Sequence, residues 1–232
     1  MIFGLFRFDW TILLLVPGIL FAVWAQMKVN STYKQYSRYP TKRGMTGAQA
    51  ARRILDQNGL SHVRIEHIRG HLNDHFDPRA NVIRLSDAVH DSASPAAIGV
   101  AAHEAGHAVQ YAKGYTPMKF RALIIPTTRF GSMMAIPLFF VGLIFAYGPL
   151  MLAGILLYAT IALFQLATLP VEFNASRRAM VTLRGSGMMT EDELGAAREV
   201  LTAAALTYVA ALVSSLLTLL RLLILANGRR RD

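Results

Sequence analysis

The chain alternates between long apolar runs and two polar segments. Residues 10–27, "WTILLLVPGILFAVWAQM", carry no charge. A run of about 18 residues, rising ~1.5 Å each, just crosses a bilayer core. Trp10 and Trp24 stand where interfacial aromatics belong. A cleaved signal peptide fits this run less well than a retained anchor, because it is long and no small-residue cleavage site stands out. Residues 130–147 and 149–169 are two further uncharged runs, and Gly148-Pro149 between them is a turn signal, so the pair reads as a helical hairpin. Residues 201–226 form a fourth run, interrupted only by Arg221.

The polar segment 28–121 mixes helical and extended patterns. "TGAQAARRILDQNG" reads as a helix, with Thr46 and Gln49 as a capping box and Gly59 as its stop. "HVRIEHI" (62–68) and "NVIRLS" (81–86) have the β-branched content of short strands. The second is either an edge strand that pairs with an extended substrate or a plain structural strand. His75 and Asp77 in "NDHFDP" either brace a site or make a turn. Ser94 and Pro95 then cap and open a helix that ends near Gly114. In 170–200, Thr190 and Glu193 form a second capping box.

Composition sharpens this picture. The chain has 232 residues, 53% hydrophobic and only 16% charged. About a quarter of an ordinary soluble domain is charged. The net charge of +10 would suit nucleic acid, but the basic residues flank the apolar runs, the pattern of cytoplasmic membrane edges. Nucleic acid is therefore not an expected partner; a lipid bilayer is. Lys28, Lys34, Arg38, Lys42 and Arg43 follow the first run, and Lys113, Lys119, Arg121 and Arg129 precede the second. This bias places 28–121 in the cytoplasm. A crossing fourth run puts Arg229, Arg230 and Arg231 outside, against that bias; the reading keeps the crossing.

The segmentation that follows is a 1–27 anchor, a 28–121 cytoplasmic domain and a 122–169 transmembrane hairpin. After these come a 170–200 cytoplasmic segment and a 201–232 terminal helix with a basic tail.

The candidate chemistry lies in "AAHEAGHAVQ", residues 101–110. Positions i and i+4 of a helix share a face, so His103 and His107 can offer two imidazoles to one metal. Glu104 is placed to reach a metal-bound water. Ala105, Gly106 and Ala108 are small enough for other backbone to approach. The bland alternative is a helix with two satisfied histidines. With no cysteine in the chain, a transition metal must rest on His, Asp or Glu. A catalytic zinc usually takes three protein ligands. Candidates for the third are Glu172, or a carboxylate or histidine of 71–91. Both ends of a hairpin emerge on one side of a membrane, so Glu172 can return to the histidine pair. His62, His67, His71 and His90 read as surface residues rather than a second metal site, since they lack tight ligand spacing.

These residues carry a resemblance. "GLSHVRIEHIRGHLNDHFDPRANVIRLS", "SPAAIGVAAHEAGHAVQ" and "LPVEFNASRRA" resemble the YugP-type family of bacterial membrane zinc metallopeptidases over nearly the whole chain. More distantly, the chain is similar to the HtpX and CAAX prenyl proteases, in which a glutamate is followed by Ala at +3 and Asp at +4. Glu172 and Ala175 match; Ser176 departs, and a serine would be a weaker acceptor for a zinc-bound histidine.

The resemblance implies a mainly α membrane protein, with about four transmembrane helices and a small α+β, zincin-like cytoplasmic domain. It implies a multi-pass protein of the bacterial inner membrane acting on a peptide or membrane protein. The expected mechanism has Zn2+ on His103, His107 and Glu172, with Glu104 as general base towards the zinc-bound water. His75, Arg177 and Arg178 are the candidates for stabilising the oxyanion. Two rivals remain. A zinc-stabilised scaffold would close the metal with a fourth protein ligand. An ion transporter would need ionisable residues within the runs, where Arg221 stands alone.

Overall fold

The computed structural model describes residues 9–229. The start of the anchor at 1–8 and the basic tail at 230–232 lie outside the described residues, as does the side chain of Arg229. The chain divides into two compact units. One comprises residues up to Trp24, Phe120–Ala167 and Tyr208 onward; the other comprises Ala25–Lys119 and Thr168–Thr207.

The first unit is helical and apolar. A short 3₁₀ helix, Trp10–Leu15, leads into α1 (Val16–Tyr36). Helices α4 (Thr116–Ile144) and α5 (Gly148–Gly185) form the hairpin, and α6 (Glu191–Arg229) ends the described chain. All four apolar runs lie on helices long and apolar enough to cross a membrane. α1, α5 and α6 outrun their apolar stretches and α4 starts well before its own, because hydropathy marks the part facing lipid and not where hydrogen bonding stops; the end of the second run, 145–147, lies beyond α4. Gly148 and Pro149 open α5, and the turn itself is 145–147. The hairpin helices approach closely: a Cβ on Gly154 would lie 2.7 Å from the Ala135 carbonyl oxygen. Small residues at such crossings are how helices pack when lipid is as apolar as their side chains.

Arg221 is not alone, as the sequence reading had it. Its guanidinium donates to Asp9 Oδ2 at 2.6 Å and to Thr11 Oγ1 at 3.1 Å. An ionisable group in an apolar run needs such a partner.

The second unit holds α2 (Gly47–Gln57), three strands and α3 (Pro95–Ala112), with the polar parts of α1, α5 and α6. Thr46 and Gln49 make the expected capping box on α2. Ser94 caps α3, with Pro95 in its first turn. Gly59 and Gly114, both at positive φ, follow the ends of these helices. Strands β1 (Arg64–Ile68), β2 (His75–Asp77) and β3 (Val82–Ser86) form a sheet in the order β1-β3-β2. β1 runs parallel to β3 and β2 antiparallel to it. Of the two readings of 81–86, this excludes the edge strand and leaves the structural one. β3 is central, so its backbone is paired on both sides and cannot receive a substrate. The edges belong to β1 and to β2, a strand too short and polar to announce itself in the sequence.

A single core joins Ile54 and Leu55 of α2, Ile83 and Leu85 of β3, Ile98 of α3 and Leu183 of α5. α3 is enclosed on most of its circumference. Its many alanines are what let neighbours close in on it.

Candidate metal centre

α3 and α5 come together at a glycine. A Cβ on Gly106 would lie 2.7 Å from the backbone oxygen of Ala175, so only glycine permits this approach. Ala175 and Ala179 are fully buried on the same face of α5. The contact sets Glu172, one turn before Ala175, against the histidine pair.

Glu172 Oε2 lies 3.2 Å from His103 Nε2 and 3.5 Å from His107 Nε2. The imidazoles meet edge to face, with centroids 4.6 Å apart. One ligand atom from each residue falls within 4.8 Å of the other two. The structure therefore brings together the three side chains that the sequence singled out.

The other nitrogen of each imidazole is held from behind. His103 Nδ1 is 3.0 Å from Ser176 Oγ. His107 Nδ1 is 3.0 Å from Gln110 Oε1. Gln110, fully buried, donates its amide N–H groups to the Val171 carbonyl at 2.8 Å and to Asn174 Oδ1 at 2.9 Å. Those two acceptors dictate which way the amide faces. Its oxygen must point at His107, so Nδ1 carries the hydrogen. The lone pair of His107 Nε2 is then aimed at the Glu172 carboxylate. Two acceptors facing each other are unfavourable unless a cation lies with them. Burial alone would keep His107 neutral, yet the Glu172 hydrogen bond and the charges of Glu104 and Glu172 outweigh it and raise its pKa. The pocket calls for positive charge, and a His–His–carboxylate donor set suits zinc.

Glu104, also buried, points to the sheet. The Phe76 backbone N–H on β2 donates to its Oε2 at 2.9 Å. β2 is tied to β3 at both ends. Asp74 accepts from the Ser86 backbone N–H (2.7 Å) and hydroxyl (3.0 Å), and Asp77 accepts from Arg84 at 2.9 Å. "NDHFDP" is thus a clamped strand at the site's edge.

The remaining candidates lie further out. His75 Nδ1 is 2.9 Å from the Asn73 carbonyl. Arg178 donates to Asn174 Oδ1 at 2.7 Å, joining the Gln110 network. Arg177 is exposed on α5. None of the three has a hydrogen bond to His103, His107 or Glu172 among the described residues. His67 and His90 stack at 4.7 Å beside Asp91 on the surface, each paired to its own carboxylate. Gln110 and the Phe76 N–H were missed by sequence reasoning. Gln110 did leave a signal: a lone amide in an apolar helix, three residues past His107 and so on nearly its face.

The family model described as "Putative neutral zinc metallopeptidase" matches residues 11–227. A curated relative, "Putative membrane protease YugP" of Bacillus subtilis (strain 168), is 45% identical over 219 residues, covering 94% of this chain and 97% of the relative. No solved structure matches. With a largely buried His–His–Glu cluster on apolar-flanked helices and a match along nearly its full length, the chain belongs to this neutral zinc metallopeptidase family.

Proposed function

We propose that this protein is a membrane-embedded endopeptidase whose zinc rests on His103, His107 and Glu172 and which works at the cytoplasmic face of a bacterial inner membrane. The observation that carries the reading is the convergence of three lone-pair donors, His107 and Glu172 buried and His103 partly so, with both imidazoles braced from behind by Ser176 and Gln110. The ion would supply Lewis acidity, polarising a peptide carbonyl and making water acidic near neutral pH.

The chain's own residues supply the rest. Glu104 takes the proton from the attacking water and returns it to the leaving amine. The Phe76 N–H fixes one carboxylate oxygen of Glu104, leaving the other for that proton. His75, next to Phe76 on β2, is our candidate for donating to the developing oxyanion. Ser176 and Gln110 orient the imidazoles, and the close packing at Gly106 sets the third donor.

The test is the purified full chain with Glu104→Gln beside it. The variant should retain zinc by elemental analysis and lose proteolysis of denatured or membrane-derived protein by at least about 100-fold. His103→Ala should lose the metal as well. Equal cleavage by Glu104→Gln and parent would refute the base assignment. A fourth protein group closing the metal, seen by X-ray absorption, would favour the scaffold reading.

A further inference from the structure

α3 and α5 frame a pocket of about 350 Å³ beside their contact at Gly106. Its volume is that of a small-ligand site. Ala102 and Gly106 are too small to fill it, and Ile54 and Val109 give it an apolar floor. All of its lining residues belong to the second unit.

The polar part of the lining is basic. Lys113 stands at the end of α3, Arg177 and Arg178 stand on α5, and no acidic residue lines the pocket. The side chains of Lys113 and Arg177 have no hydrogen bond or ion pair among the described residues. Arg178 uses only its Nε, which donates to Asn174 Oδ1 at 2.7 Å. That oxygen also accepts from Gln110 at 2.9 Å. Two donors on its oxygen fix the Asn174 amide, and its NH₂ group is left without a partner among the described residues. Asn174, Arg177 and Arg178, at i, i+3 and i+4, share one face of α5.

We infer that this pocket binds a phosphate group, held by Lys113, Arg177, Arg178 and the Asn174 amide. Three cations and an NH₂ group on two helices offer donors from several sides. That suits a tetrahedral anion with three or four oxygens better than a flat carboxylate with two. No carboxylate has to be displaced, and the ligand's charge offsets the mutual repulsion of the three cations. Because Lys113 stands at the end of α3 and the arginines on α5, the bound group also ties together the two helices that carry the metal donors. Its source is either an anionic phospholipid headgroup or a small soluble phosphate, since both present the same oxygens. Binding is read without turnover, so the inference is independent of the peptidase reading.

The experiment uses the zinc-loaded full chain in a maltoside detergent, which carries no phosphate. Inorganic phosphate and glycerol 3-phosphate are titrated in at constant ionic strength, with binding followed by calorimetry and by the rise in Tm. Saturable binding of one group per chain is expected. Lys113→Gln with Arg177→Gln changes two exposed residues outside the Gln110 network and should weaken binding at least about tenfold. Arg53→Gln with Arg79→Gln removes the same charge from other exposed positions and should leave affinity within about twofold. In a second arm the micelles carry phosphatidylglycerol. If that lipid raises Tm and displaces the soluble phosphate, the source is a headgroup; if it does neither, the source is soluble, and the site stands in both cases. Absence of saturable binding in both arms overturns the inference, as does a control pair that weakens binding as much as the pocket pair. Binding that survives the pocket pair but ends when zinc is chelated would put the phosphate on the metal and overturn it too. So would an oligoglutamate peptide that binds more tightly than phosphate.

Discussion

Gln110→Leu is the most informative single change outside the ligand set. Leucine is close to glutamine in volume, so the cavity penalty is small. What disappears is one acceptor and two donated hydrogen bonds: the oxygen facing His107 Nδ1, and the links to Val171 and Asn174 that tie α3 to α5. His107 is buried, so its Nδ1–H would be stranded away from water at a cost of about 1–3 kcal/mol. The ring could escape by turning, but that swings Nε2 away from Glu172. Either way the loss falls on the metal-competent state. At about 1.4 kcal/mol per decade, zinc affinity should fall ~10–100-fold. The assay is competition against a fluorescent chelator in detergent, with melting followed in parallel. Gln110→Glu separates the two tasks. A carboxylate can still accept from His107 but faces the Val171 and Asn174 oxygens, so zinc should be held better than in the leucine variant while Tm falls. A leucine variant binding zinc within about twofold of the parent would refute the tautomer argument.

Three other outcomes are expected. Gly106→Ala drives a methyl against the Ala175 oxygen and should destabilise by about 1–3 kcal/mol while weakening zinc binding; unchanged melting and zinc content would show that the contact is absent. Burial raises the Asp74 carboxyl despite the Ser86 hydrogen bonds, so the folded state holds that proton more tightly than the unfolded state does, and the parent loses stability as pH rises through the unfolded and then the folded pKa. Asp74→Asn should therefore gain Tm relative to the parent at neutral pH, with the difference shrinking towards pH ~3; a pH-independent difference contradicts this. Because the chain lacks cysteine, single cysteines report sidedness cleanly: Gln57→Cys should resist an impermeant maleimide in intact cells, and Phe145→Cys at the hairpin turn should react. The reverse pattern would move the site to the other face.

The readable parts of the sequence were those governed by local physics. Caps at Thr46, Ser94 and Thr190 need residues only three positions apart, and the structure has all three. The histidine pair depends on helical period alone. Glu172 needed one step more, the rule that a hairpin returns to its starting side. What stayed hidden depends on partners distant in the chain. β3 became central because β1 and β2 flank it, and β2 has only three residues. Arg221 finds Asp9 at the opposite end of the chain. Helix ends beyond the apolar runs were invisible to a hydropathy argument. Gln110 acts through Val171 and Asn174, which no spacing rule connects to it.

The three donors are divided between two helices that the chain links only through a long excursion. A cation gripping all of them is a clasp as well as a reagent, since its binding energy is added to the closure of α3 on α5. Starvation for zinc would then do more than idle the enzyme: it would loosen the protein and hasten its turnover, so that cellular abundance follows metal supply.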